Sequence, residues 1–179
     1  MTSKGAILMT PSPASRLGGF AAGHFVITAL CAPLLFLGPQ LFASVSSPLQ
    51  ALWMMVLYLP AGWIMAAVRR WNRPTPKEGV KAVLWPALLA WGWAFGGWLL
   101  LICPSLLSGI GFWMLTSTYF LACPSFVFML AALGQNADLT AWSTFGFTWY
   151  LSIFLAGLLP PLLFFLGSLL PRPVRTVRN

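Results

Sequence analysis

Acidic side chains are almost missing from this chain: Glu78 and Asp138 are its only carboxylates, against ten lysines and arginines and one histidine. Two isolated acids exclude the positioned carboxylate pair of an acid–base hydrolase. They also exclude the buried acid that proton- or sodium-coupled transport commonly uses. Charge of either sign is scarce, at 7% of residues, where soluble domains carry about a quarter. Cysteine is limited to three residues with no cysteine-rich polar segment, which excludes a disulfide scaffold and leaves the redox compartment unread. There is no His-Glu-x-x-His, no Gly-x-Ser-x-Gly and no phosphate-cradling glycine loop, so the sequence names no cofactor, and an enzyme is the least favoured class.

What is present is apolar. Hydrophobic residues make up 59% of the chain and the mean hydropathy is +0.85, a composition from which no water-soluble fold can be built. Crossing the hydrocarbon layer takes about 20 apolar residues, because a helix rises ~1.5 Å per residue through ~30 Å. Five stretches meet that length, at residues 17–38, 47–68, 82–103, 109–133 and 145–170. The apolar runs are continuous and lack the alternation of barrel strands. The predicted fold is therefore an all-α integral membrane protein, a single domain over residues 1–179 built as a bundle of about five transmembrane helices. Each carries proline, at Pro33, Pro60, Pro86, Pro124 and Pro160-Pro161, so kinks are expected. Pro86 is read as lying in a first turn, where proline costs little. The first stretch overruns a cleavable signal and is expected to stay.

The net charge of +8 raises nucleic acid as a partner, but the placement of the cations points elsewhere. They fall at Lys4 and Arg16, at Arg69, Arg70, Arg73, Lys77 and Lys81, and at Arg172, Arg175 and Arg178. Such clusters beside apolar segments set orientation and attract anionic lipid headgroups, so membrane lipids are expected partners and nucleic acid is not. The densest cluster makes the 69–81 loop cytoplasmic, in a plasma or inner membrane. Two crossings earlier the N-terminus then also lies inside. Three crossings later the basic tail lies outside, against the rule. Either the tail is a tolerated exception or one segment is re-entrant, 109–133 being the weakest span. Trp71, Trp85, Trp142, Trp149 and Tyr150 stand near predicted helix ends, as interfacial anchors do.

His24 is the one readily titratable side chain inside a predicted helix, and an intramembrane ionisable group marks a functional site by default. By depth along the helices it lies near Ser125 and Tyr150, with Tyr58 a little deeper. These four form a candidate ligand pocket; the bland alternative is a neutral histidine bonded to a neighbouring hydroxyl. Gly92 and Gly96 make a GxxxG pair, a device for close helix packing within the chain or to a partner. Cys103-Pro104-Ser105 and Cys123-Pro124-Ser125 resemble the Cys-Pro-x element of soft-metal-transporting ATPases, which would make Cys103 and Cys123 metal ligands. Their depths differ by roughly 20 Å, so no shared metal is expected. Trp71-Asn72-Arg73-Pro74 resembles the proline–tryptophan loop of the tryptophan-rich sensory/translocator family, though it follows the second helix here and that family's loop follows the first. The functional expectation is a small multi-pass protein that binds or moves a small solute without its own energy coupling. The alternative is a structural subunit that docks other membrane subunits or a second copy of itself.

Overall fold

The computed structural model describes residues 13–41, 55–102, 107–122 and 147–171. Among these the chain is all-helical: α1 (Pro13–Leu41), α2 (Tyr58–Val68), α3 (Pro76–Ile102), α4 (Leu107–Ala122) and α5 (Phe147–Leu169). Residues 47–54 of the expected second helix and 123–133 of the fourth lie outside the described residues.

Local chemistry fixes the two helix ends that matter most. Thr75-Pro76-Lys77-Glu78 is a capping box: the Thr75 N–H donates to Glu78 Oε2 at 3.0 Å and the Glu78 N–H donates to Thr75 Oγ1 at 3.4 Å. Pro76 fills the first helical position, where its missing N–H removes no bond. The helix consequently starts at Pro76, ahead of the expected 82, and Lys77 and Lys81 lie on its first turns. Pro86 is therefore interior, not in a first turn, and the Ala82 carbonyl loses its helical donor.

At the other side of the loop, α2 ends in a Schellman motif. Trp71 N–H donates to Ala66 O at 3.0 Å and Arg70 N–H to Ala67 O at 3.4 Å. The motif places Arg70 at φ 50°, the left-handed position that glycine usually fills. Arg70→Gly should therefore raise the unfolding free energy by roughly 0.5–1 kcal/mol, read as a higher Tm of the purified protein; an unchanged or lower Tm would show that the left-handed arginine carries no strain.

The helices pack through small residues. Ala66, Ala87, Ala90, Ala94 and Ala156 are buried, with Gly62, Gly97, Gly111, Gly157 and Gly167. Helix α2 meets α5 most closely: a Cβ at Gly62 would overlap the Phe164 carbonyl, and one at Gly167 would overlap that of Leu59. Trp63 closes the end of this pair by donating to Pro171 O at 3.1 Å. Helices α3 and α4 meet at Gly97 and Gly111, where a Cβ on Gly97 would come within 2.8 Å of Met114 Cβ. Helix α5 is held to α3 by Trp91, which donates to Phe154 O at 3.2 Å and stacks on the Phe154 ring at 4.8 Å. Helix α1 lies across α2 and α3, with Gly19 beneath the Trp71 ring and Gly23 beneath Phe164.

Many large apolar side chains point outward: Phe25 is 74% exposed and Trp113 72%, with Leu30, Val68 and Leu89 similarly bare. By length and composition one described helix, Pro76–Ile102, suffices to cross a membrane, where five were expected. Its 27 residues reach ~40 Å, whereas the 11 of Tyr58–Val68 reach only ~16 Å.

Candidate functional site

Polar side chains inside this apolar bundle gather along one face of α1. Arg16, Phe20, His24 and Cys31 recur at helical spacing, and the first three meet α2, the α2–α3 loop and α5. His24 Nδ1 lies 2.8 Å from the Tyr58 hydroxyl. In the tautomer protonated at Nε2 the hydroxyl donates; in the other, Nδ1–H donates to it. Tyr58 is fully buried, at the start of α2, and Cys31 is fully buried as well. Phe20 stacks on the His24 ring at 5.6 Å and meets Phe164 edge-on at 5.4 Å. Trp71 in turn meets Phe164 at 6.4 Å. A continuous column of rings thus runs from the loop to Tyr58.

Arg16 stands at the loop end of that column. It is only 6% exposed, and two contacts hold it there. Its Nη2 donates to Asn72 O at 2.9 Å and its guanidinium carbon lies 5.6 Å from the Trp71 ring centroid, within cation–π range. The Schellman turn is what aims Trp71 inward, so the backbone geometry of Arg70 positions the aromatic partner of Arg16. Between Arg16, Phe20, Trp71, Ala82, Phe165 and Ser168 lies a narrow cleft. Its interior has room for about one water molecule. Ser168 donates its hydroxyl to Phe165 O at 2.6 Å.

The structure brings His24 and Tyr58 together and places Tyr150 elsewhere, on the α3–α5 seam, where its ring neighbours are Phe95 at 6.3 Å and Trp98 at 6.4 Å. The reason is rotational: depth along a helix says nothing of which face a side chain takes. Ser125, Cys103 and Cys123 lie outside the described residues. Among the described residues no group of three His, Cys, Asp or Glu side chains is arranged to hold a metal. Among the described residues Gly92 makes no close packing within the chain: a Cβ there would meet nothing within 4 Å, and Gly96 would meet only the tip of Met114 at 3.4 Å. The contact falls one residue on, at Gly97. Arg16 was legible only as an orienting charge. The signal for its burial is faint: a cation three residues before Gly19 and a tryptophan directly after two loop arginines.

Comparison with known proteins finds no family model, no curated protein and no solved structure that matches the chain.

Proposed function

We propose that this chain is a multi-pass integral membrane protein that binds a small solute as a non-enzymatic component of a transport-related assembly, with the α2–α3 loop on the cytoplasmic side. The observation that carries the membrane reading is the apolar exterior: large side chains such as Phe25, Leu30, Leu89 and Trp113 face outward, while alanine and glycine line the closest helix contacts. Lipid gives helices no hydrophobic drive to associate, so they pack through small residues and leave large apolar ones to the acyl chains. The solute reading rests on the half-buried His24 paired with the buried Tyr58, since polar groups kept inside a membrane bundle are expensive. Glu78 is committed to its helix cap, so the energy for any movement comes from a partner.

Thermal unfolding of the detergent-purified protein, with a panel of small carboxylates, amines and sugars, tests the solute role. A solute at about 100 times its Kd stabilises the protein by about 2.7 kcal/mol. At least one class should raise Tm in the native chain and fail to do so in His24→Ala. A panel that leaves the native Tm unmoved, or a shift that His24→Ala retains, removes solute binding at this pair.

A second reading, as a docking subunit, is favoured by the open surface at Gly92, flanked by exposed Leu88, Leu89, Trp93 and Phe95. If that face seats another membrane subunit or a second copy, Gly92→Leu should abolish cross-linking in membranes while the purified monomer keeps its native Tm. Unchanged cross-linking would discard the docking face.

A further inference from the structure

We infer that the cleft between α1, the α2–α3 loop and α5 holds the phosphate of an anionic phospholipid, anchored by Arg16. The inference rests on the membrane reading above. Three observations carry it.

The first is the cleft's chemistry. One buried guanidinium, the group that grips phosphate through parallel N–H···O bonds, sits among apolar walls made by Phe20, Trp71, Phe164 and Phe165. A free inorganic anion has no use for such walls, whereas a phospholipid presents a phosphate joined to methylenes. Ser168 already donates its hydroxyl within its own helix, and Arg16 is the one cation among the lining residues.

The second is the surrounding charge. Arg69, Arg70, Arg73, Lys77 and Lys81 are exposed on the loop and first turns that border the cleft, and Lys81 directly precedes the lining residue Ala82. The whole chain holds ten cations and two carboxylates, one of them the capping Glu78. Most of the anions that balance this cluster must therefore come from outside the chain, and at a cytoplasmic membrane face the abundant fixed anions are lipid headgroups.

The third is the cost accepted at Arg70. An arginine occupies a left-handed position that glycine would fill without strain, two residues from the loop carbonyl that orients Arg16. A cation is kept there against the local backbone preference. The cleft is too narrow to swallow a headgroup whole. Phosphate oxygens enter at its mouth and the glycerol and acyl chains run down the outside, between exposed apolar side chains.

The test uses the full chain reconstituted in vesicles of equal phosphatidylglycerol and phosphatidylcholine, extracted into mild detergent, with retained lipid read by native mass spectrometry. Retained phosphatidylglycerol should exceed phosphatidylcholine by about tenfold, the equivalent of one good charge-assisted bond. Arg16→Gln should bring the ratio to about one. Ala82→Phe, which fills the cleft and leaves the guanidinium in place, should do the same, and it carries the test if Arg16→Gln does not fold. Arg16→Lys should keep part of the preference, having the charge without the planar fork. A native ratio in both Arg16→Gln and Ala82→Phe overturns the site. If inorganic phosphate alone raises Tm as much as phosphatidylglycerol does, the ligand is a free anion and the lipid assignment falls. Retention of both lipids at parity by the native chain defeats the headgroup site alone. A chain that stays in the aqueous fraction without detergent and retains neither lipid defeats the membrane reading itself.

Discussion

Replacing Gly62 or Gly167 with leucine should leave no folded protein to purify. At both positions the obstacle is backbone, the carbonyl of Phe164 in one case and of Leu59 in the other, so no side-chain rotation can make room. Overpacking a core commonly costs 1–3 kcal/mol when side chains can yield. Here two helices must separate along their closest line of contact, and that loss is comparable to the whole stability of a domain, about 5–15 kcal/mol. Even alanine at Gly62 should lower the yield of monodisperse protein markedly. Alanine at Gly18 or Gly92, where a Cβ would meet none of the described residues within 4 Å, should change Tm little, or raise it slightly through better helix propensity. Size-exclusion profiles of the five variants decide the matter. A monodisperse Gly62→Leu with native Tm would mean that α2 and α5 do not approach as described.

The second large effect concerns Tyr58. Truncation to alanine removes a fully buried ring, together with the hydroxyl that meets His24, and should cost about 3–5 kcal/mol. Phenylalanine keeps the ring in the Phe20 stack and removes only the hydroxyl, at an expected cost of about 1–3 kcal/mol from the stranded His24 nitrogen. A double-mutant cycle with His24→Ala separates the two contributions. If Tyr58→Phe costs as much in the His24→Ala background as it does alone, the two side chains are not coupled and the hydrogen bond contributes nothing.

Much of the helical character is legible in the sequence, because apolar runs of membrane length admit few other structures. The capping box was equally legible: Thr-Pro-Lys-Glu states its own chemistry, yet a hydropathy reading passes over it because three of its four residues are polar or charged and the apolar run begins later. Glycine contacts are harder. The pair Gly92 and Gly96 satisfies a spacing rule within one helix, but the rule does not know which face a neighbour will take. Gly97 and Gly111 carry the α3–α4 contact from two different segments. The same limit separates Tyr58 from Tyr150, two tyrosines at related depth on different seams. Arg16 was hidden for another reason. Its burial depends on a tryptophan more than fifty positions away and on a left-handed turn that no propensity would assign to arginine.

The pairing of α2 with α5 also bears on the order in which the chain can be completed. Helix α2 leaves the ribosome early, but the surface that covers Gly62 is made only when Phe164 and Gly167 have been synthesised, and Trp63 finds its acceptor 108 positions later. Until then its small-residue groove is bare, and neither α3 nor α4 is its principal mate. Nascent chains stopped before α5 carry an open seam that any passing helix of suitable shape can occupy. Arrival of the last helix is thus the step that converts a string of separate helices into a closed unit, and quality control that senses unpaired helices has its longest opportunity in that interval.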